Sequence, residues 1–251
     1  MLLQMMTWPE VEAHLAAGNE TILVPIGSTE QHGPTGLIGT DALCADHIAA
    51  AVGRETGTPV APVINVGMAQ HHMAFPGTMT LRPSTLIAVI RDRVLSLAAH
   101  GFRRFHFVNG HGGNIPTIKA AWAEIHADTR ERAGPGAPLP GLRFRLDNWF
   151  LLPGVRQLAE ETVGDREGHH ATVSEVAVTQ HLFPDHIKTA PLNGPAGNAP
   201  DFHDPQDFRR KFPDGRMASD PSLATPDLGR RFFDTAVGEI AEACRGFVGE
   251  G

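Results

Sequence analysis

The residues best suited to chemistry lie in one short stretch that follows a strand-like apolar run. Glu30 and His32 are two positions apart, so their side chains leave the same face of an extended segment. Glycine and proline residues follow, and they can turn the chain so that Asp41 returns to that face. Two carboxylates and an imidazole that converge beyond a strand suit a hard or borderline metal ion. The stretch predicts a metal site, with an unrelated polar turn as the alternative.

A second candidate is His111, which stands between glycines directly after another predicted strand. Glycine permits unusual backbone angles and lets a substrate or an ion approach closely. Backbone N–H groups of Gly112, Gly113 and Asn114 could meet an anion or an oxyanion, and Asn114 could cap the following helix. A glycine-rich turn that merely contains a histidine is the alternative. The run lacks the spacing of a dinucleotide fingerprint or a Walker loop.

A third candidate pairs His170 with Glu175 at the start of a predicted helix over 172–182. The spacing places a carboxylate one turn into the helix, below the loop that carries the imidazole. This arrangement suits a metal ligand beside a proton carrier, whereas a solvated helix start is the alternative. His72 and Trp149 could line a substrate pocket, with an ordinary turn and a core tryptophan as their alternatives.

Several other classes of function are disfavoured by composition and by missing motifs. The 251 residues carry a net charge of −7 without a Lys/Arg-rich run, so neither a nucleic acid nor a membrane is an expected partner. Cys44 and Cys244 give no disulfide framework, which favours a reduced, cytoplasmic setting. The sequence also lacks a G-x-S-x-G elbow and a reactive-cysteine context. Metal-activated water is the remaining source of a nucleophile.

The elements that must position these residues alternate between strands and helices, which predicts one α/β domain over 1–251 with a mainly parallel central sheet. Strands are predicted over 21–26, 59–64, 104–109 and 142–146. Helices are predicted after Thr7, over 42–54, from a cap at Ser84 to His100, from 115 to about 130, over 172–182 and over 226–247. A surface linker is predicted over 133–141, and a flap or interface arm over 191–227.

Two of the candidate clusters follow the ends of predicted strands. In a parallel sheet, the loops beyond the carboxyl ends of the strands meet at one edge and form the binding sites. The stretch with Glu30 and His32 follows the first predicted strand, and His111 follows the third. The sequence therefore predicts that these residues belong to one site.

Four motifs, taken in order and spacing, resemble the creatininase (creatinine amidohydrolase) family. They are L-V-P-I-G-S-T-E-Q-H-G-P with G-T-D, then H-x-x-F-P-G-T-x-x-L, then N-G-H-G-G-N, then H-A-x-x-x-E. A further stretch at 220–229 is similar to the family's segment before its last helix, so the similarity covers nearly the whole chain. The resemblance implies a three-layer α/β/α fold and a two-metal site that hydrolyses C–N bonds of amides. It implies zinc as the first expectation for the metal, with manganese or iron as alternatives.

The resemblance also implies roles for individual residues. The metal ligands that it implies are Glu30, His32, Asp41, His111 and Glu175. Asp41 would bridge the two ions, and Glu30 and His32 would serve different ions. His170 matches the histidine implicated in proton transfer, and a homo-oligomer, with a hexamer as one form, is expected.

Departures from the family pattern bear on the substrate. Creatininases proper carry a carboxylate where this chain has Gly113, and many relatives carry a histidine where it has Thr35. The family often continues the last motif with Thr and Ser, whereas Val176 and Ala177 stand here. These departures indicate a divergent branch and argue against creatinine. The expected function is hydrolysis of a small cyclic amide or formamide. The alternatives are a peptidase that trims a cofactor precursor and a non-catalytic metal or small-molecule binding protein.

Overall fold

A computed structural model describes residues 1–133, 141–192, 194, 196–198 and 201–249. The strands are β1 (Thr21–Ile26), β2 (Arg104–Asn109) and β3 (Arg143–Asn148). The first helices are α1 (Trp8–Ala16), α2 (Thr40–Thr56), α3 (Pro83–His100) and α4 (Ile115–Ala133). The later helices are α5 (Pro153–Thr162), α6 (Val173–Leu182), α7 (Pro205–Lys211) and α8 (Pro226–Gly249). Most of the predicted linker lies outside the described residues.

The three strands form a parallel sheet in the order β1-β2-β3, as the alternation of strands and helices predicts. The register aligns Ile26 with Asn109, and Asn109 with Asn148, so the carboxyl ends of all three strands meet at one edge. The loops that follow β1 and β2 are therefore neighbours. This edge carries the candidate site.

Helices cover both faces of the sheet, which confirms the three-layer arrangement. Because side chains alternate along a strand, Ile22 and Phe107 pack toward α3 and α4, whereas Leu23 and Val108 pack toward α2, α6 and α8. Both cores consist of buried apolar side chains. Among the described residues, no helix combines the length and the apolarity that crossing a bilayer requires.

The predicted strand over 59–64 is wrong as a continuous element. This segment runs beside β1, but only Val60 and Ile64 form bridges, with Leu23 and Ile26. Prolines within the segment and Pro25 on β1 lack the N–H groups that a regular ladder needs. Ile64 lies four positions after Val60, but their partners Leu23 and Ile26 are only three positions apart. The segment therefore contains one extra residue, which bulges out of register. The segment still protects the edge of β1.

Three other elements differ from the prediction or add to it. Helix α3 has Arg82 as its N-cap and Pro83 in its first turn, so the predicted cap at Ser84 is wrong. Helix α5 was not predicted, although Val155 and Ala159 lie one turn apart on its buried face. The described part of 191–227 contains α7 and lies against the candidate site of its own chain.

Candidate active site

Close packing brings the first turn of α2 against the loops that follow β1 and β2. A Cβ atom at Gly27 would collide with the backbone of Asp41 and Ala42, and one at Gly110 would collide with the Asp41 carbonyl. Only glycine permits this approach at both positions. The two loops and the helix start therefore converge, and Asp41 lies between them.

Asp41 presents one oxygen to each of two buried histidines. Its Oδ1 lies 3.0 Å from His32 Nε2, and its Oδ2 lies 3.1 Å from His111 Nδ1. The remaining ring nitrogen of each histidine faces a backbone carbonyl. His32 Nδ1 donates to Glu30 O at 3.1 Å, and His111 Nε2 donates to Met68 O at 2.9 Å. These backbone contacts fix both rings so that the nitrogens facing Asp41 are the ones free to bind an ion.

The side chains form two groups that could each hold a metal ion, and Asp41 belongs to both. In each group the ligand atoms lie within 4.8 Å of one another, and every side chain is buried. The two groups are Glu30, Asp41 and His111, and His32, Asp41 and Glu175. The structure thus brings together all five residues that the resemblance implies as ligands, with Glu30 and His32 in different groups.

Glu175 is held in place by the start of its own helix. Its Oε2 accepts hydrogen bonds from the Thr172 backbone N–H at 2.9 Å and from the Thr172 hydroxyl at 2.8 Å. This reciprocal arrangement is a capping box, with Thr172 as the N-cap of α6. Because both bonds use Oε2, the other oxygen is left for the cluster. One carboxylate therefore caps α6 and completes the second ligand group.

Several buried oxygens of the cluster lack hydrogen bonds. Among the described residues, both oxygens of Glu30 and Oδ2 of Asp41 make no hydrogen bond of good geometry, although imidazole nitrogens lie 3.2 Å from Glu30 Oε1 and 3.1 Å from Asp41 Oδ2. Unpaired carboxylate oxygens are costly to bury, so their presence indicates a ligand that the protein atoms do not supply. Two such carboxylates beside two imidazoles have the chemistry of a divalent-cation site.

The electrostatics of the side-chain cluster point in the same direction. Burial raises the pKa of the Glu30 carboxyl. Burial alone would lower the pKa of both histidines, but nearby carboxylates outweigh it. Asp41 in particular raises the pKa of His32 to about 10, and Glu30 and Asp41 raise that of His111 to about 9. Without a metal, protons occupy the positions that cations would otherwise take.

His72 and His170 complete the wall beside Glu30. His72 Nε2 lies 3.2 Å from Glu30 Oε1, and His170 Nδ1 lies 3.9 Å from the same oxygen. Burial, together with the other histidines, lowers the pKa of His72 and of His170. Both rings are therefore neutral at pH 7, and a neutral imidazole can accept a proton.

A cavity of about 1310 Å³ opens onto the cluster. Asp41, His111, His170 and Glu175 form its inner end, together with His72, Gly112 and Gly113. Phe150 and Leu151, at the end of β3, and residues of α5 line the outer part. The cavity extends well beyond the ligand groups, so it has room for a substrate larger than the reacting amide.

Two predicted substrate contacts lie elsewhere. Trp149 is fully buried in the core beside α8, and its neighbours Phe150 and Leu151 line the cavity instead. Asn114 is also fully buried, and its side chain accepts from Met68 N–H and donates to Gly27 O. Asn114 therefore fastens the two strand-end loops to each other, and it neither caps α4 nor touches the cavity.

Sequence reasoning missed residues that act behind the cluster. The role of Thr172 could have been predicted, because a threonine followed three positions later by a glutamate is the signature of a capping box. The side chain of Gln31 leaves the opposite face from Glu30 and His32 and contacts His72 and His170. His71 lines the cavity and stacks on Phe202 with ring centroids 5.3 Å apart. No local signal identifies these last two contacts, because they come from distant segments.

Gly113 has a structural role that a side chain would disrupt. A Cβ atom there would collide with His111 Nε2 and lie 2.7 Å from Met68 O, the two atoms of the hydrogen bond that orients His111. We expect Gly113→Ala to lower the free energy of unfolding by about 1–3 kcal/mol, the cost of losing a buried hydrogen bond. Urea denaturation measures this change. Gly112→Ala is the control, because a Cβ there meets nothing within 4 Å, and equal stability of the two variants would contradict the steric role.

Comparison with known proteins agrees with this geometry. The Creatininase family (creatinine amidohydrolase) matches residues 4–244. A creatinine amidohydrolase from Pseudomonas putida is 28% identical over 253 residues, covering 96% of this chain and 94% of that protein. A mycofactocin precursor peptide peptidase from Mycobacterium ulcerans is 30% identical over 254 residues, covering 94% and 86%. The solved structure of a manganese creatininase superposes with a TM-score of 0.85 at 26% identity, covering 99% of this chain and 98% of that one.

The chain belongs to the creatininase family. It is accordingly an amidohydrolase, an enzyme that hydrolyses C–N amide bonds. The resemblance drawn from the four motifs is confirmed over nearly the whole length that it was expected to cover.

Proposed function

We propose that this protein is an amidohydrolase that depends on two divalent metal ions. The observation that carries the proposal is the pair of buried ligand groups that share Asp41. Glu30 and His111 belong to one ion, and His32 and Glu175 belong to the other. The unpaired oxygens of Glu30 and Asp41 support this assignment, because cations would satisfy them.

The donor set suits Zn²⁺, Mn²⁺ or Fe²⁺, since each accepts mixed imidazole and carboxylate ligands. Zinc is the first choice, because three or four such donors match its usual coordination. Manganese is an alternative, and the related creatininase structure described above is a manganese form. Glu30 also forms a third group of potential donors with His72 and His170. Glu30 is the only carboxylate of that group, and it already belongs to the ligands of the first ion.

Bound divalent ions would lower the pKa of a water from 15.7 to about 7 and polarise the amide carbonyl. The chain supplies the remaining steps. His170 Nδ1 faces the cluster and can accept a proton from the attacking water and pass it to the leaving nitrogen. Gly112 and Gly113 line the cavity beside His111, where their backbone N–H groups can stabilise the developing oxyanion. Glu175 would contribute by holding the second ion together with His32 and Asp41.

The cavity favours a substrate larger than a small cyclic amide. Its volume of about 1310 Å³ exceeds the roughly 300–1,000 Å³ of common small-molecule pockets. Peptidase activity is therefore the second candidate, and the similarity to a mycofactocin precursor peptide peptidase supports it. Creatinine stays disfavoured, because Gly113 stands where creatininases proper carry a carboxylate. The expectations of a homo-oligomer, of a hexamer and of a cytoplasmic location stay predictions.

A substrate screen of the metal-loaded protein tests the proposal. The panel should contain creatinine, other cyclic amides, formamides and short peptides, each with the metal-free protein as the control. We expect metal-dependent release of an amine or a carboxylate from at least one amide class, with creatinine inactive. Two bound ions without hydrolysis of any class would contradict catalysis and favour a non-catalytic binding protein. Hydrolysis that persists after complete metal removal would contradict the metal mechanism.

Metal uptake should release protons from the two ligand histidines. Because the pKa values of His32 and His111 are raised to about 10 and 9, both rings carry an extra proton at pH 7. Each must lose it to bind an ion, so we expect about two protons released per chain. Apparent affinity should therefore fall as pH decreases below 9, by about tenfold per pH unit for each ion. Calorimetric titration with Zn²⁺ in buffers of different ionisation enthalpy counts the protons, and metal uptake without release would contradict this assignment.

A further inference from the structure

We propose that Gln31 is a positioning residue that sets which ring nitrogen of His72 and of His170 carries the hydrogen. Gln31 lies between two candidate ligands in the chain, but its side chain points behind them, and it is 7% exposed. The inference rests on the proposed function, since it assigns the proton-carrying atom of the same site. It adds a residue to which neither the motifs nor the relatives give a role.

The orientation of the Gln31 amide is fixed at both ends. Its Oε1 accepts a hydrogen bond from the Gly33 backbone N–H at 2.9 Å, and its Nε2 donates to Gly215 O at 3.1 Å. If the amide were reversed, its NH₂ group would face the Gly33 N–H and its oxygen would face the Gly215 carbonyl, so neither hydrogen bond could form. Gly215 has a φ of +86°, and a Cβ there would collide with Gln31 Oε1, so the turn is shaped around this amide. One hydrogen of Nε2 is thereby assigned to Gly215.

The backbone of Gln31 assigns the hydrogen of His170. His170 Nε2 lies 2.8 Å from Gln31 O, which is a carbonyl and can only accept. The hydrogen of the neutral ring must therefore be on Nε2. That nitrogen also lies 2.9 Å from Gln31 Nε2, but it has no lone pair left to accept from the amide. His170 Nδ1 lies 3.9 Å from Glu30 Oε1, which is too far for a hydrogen bond, so a hydrogen on Nδ1 would find no acceptor there and Nδ1 is the unprotonated atom.

The remaining hydrogen of the Gln31 amide assigns His72. His72 Nδ1 lies 2.9 Å from Gln31 Nε2, which can only donate, so Nδ1 is the acceptor. The hydrogen of His72 is then on Nε2, which faces Glu30 Oε1 at 3.2 Å. A ring nitrogen that carries hydrogen cannot bind a metal. His72 therefore orients the Glu30 carboxylate, and it contributes neither a ligand nor a base.

Gln31 thus gives two neighbouring histidines different roles, acting on His170 through its backbone carbonyl and on His72 through its side-chain amide. Both rings carry their hydrogen on Nε2, but they are turned differently, so His72 presents an N–H to Glu30 and His170 presents a lone pair. Without the Gln31 amide, His72 could adopt the other tautomer and turn a lone pair toward the Glu30 carboxylate, whereas the backbone carbonyl at position 31 would still hold the hydrogen of His170 on Nε2. The Gly215 carbonyl links this assignment to the 191–227 segment, whose turn closes against Gln31.

Two substitutions test the proposal. Gln31→Met keeps the approximate length but removes both polar ends, and Gln31→Glu puts an acceptor where His72 Nδ1 now accepts. The zinc-loaded protein is compared by ¹H–¹⁵N spectra of the histidine rings, by kcat and KM on the substrate found in the screen, and by metal content. Gln4→Met is the control, because Gln4 is exposed in the N-terminal turn far from the site.

In the unsubstituted protein we expect both His72 and His170 to carry hydrogen on Nε2. In Gln31→Glu, His72 should move its hydrogen to Nδ1, whereas His170 should keep its hydrogen on Nε2, because its acceptor is the backbone carbonyl. We expect kcat to fall about 10–100-fold in both variants, the usual effect of removing an outer-shell partner, with KM within about twofold and two metals retained. Hydrogen on Nδ1 of His170 in the unsubstituted protein, unchanged spectra in both variants, or loss of metal would each overturn the proposal. If the screen finds no substrate, the proposed function fails, but the tautomers still decide the role of Gln31.

Discussion

Asp41→Ala should remove both metal ions and, with them, nearly all activity. Asp41 is the one ligand shared by the two groups, and its two oxygens face His32 and His111 at 3.0 and 3.1 Å. The substitution leaves each ion with two protein ligands and removes the negative charge between them. Because the source of hydroxide and the polarisation of the carbonyl are lost together, we expect turnover to fall on the order of 10³-fold or more. Elemental analysis and steady-state kinetics of the purified variant measure the two effects.

Variants that remove a ligand from only one of the two groups make this test specific. Glu30→Gln should weaken only the first ion, and His32→Ala only the second, so each should retain about one metal per chain. Asp46→Ala is the matched control, since Asp46 lies five positions further along α2 and does not line the cavity. Asp46→Ala should keep two ions. Full metal occupancy in Asp41→Ala would contradict the shared-ligand arrangement.

The parts of the site that the sequence predicts are those set by local spacing. Glu30 and His32 share a face because they are two positions apart in the extended segment after β1. His111 follows the neighbouring strand, β2. Parallel strands bring such loops together whatever connects them, so the convergence was predictable from alternation alone. The role of Asp41 as the shared carboxylate needed the family resemblance, because nothing local indicates how far α2 approaches the sheet.

The errors concern burial and long-range contact. Trp149 was expected to touch substrate, but a tryptophan after a strand can face the core as readily as the cavity, and here it packs beside α8. The prolines of 59–64 were counted as part of an apolar strand, although proline lacks the backbone N–H that hydrogen bonding between strands requires. Gln31 and Gly215 are 184 positions apart in the sequence. A single sequence holds no signal that such residues meet.

His170→Ala should retain both metals yet lose most turnover. His170 lies outside the two ligand groups that share Asp41, so metal content should stay near two per chain. Burial, together with nearby His72 and His32, holds the pKa of His170 well below its usual range, so the ring rests unprotonated at pH 7. Removing a positioned proton carrier typically costs about 10²–10⁴-fold, and we expect kcat to fall within that range.

Two further measurements separate proton transfer from structural damage. His170→Gln offers an amide N–H in place of Nε2–H, so it can keep the hydrogen bond to Gln31 O without restoring a base. It should be as inactive as His170→Ala, while His186→Ala, at an exposed histidine after α6, should stay active. Added imidazole should restore part of the activity of His170→Ala, because a small base can enter the space left in the cavity wall. Unchanged turnover in His170→Ala would remove its proton-transfer role, and equal rescue of His170→Ala and Asp41→Ala would show that imidazole acts elsewhere.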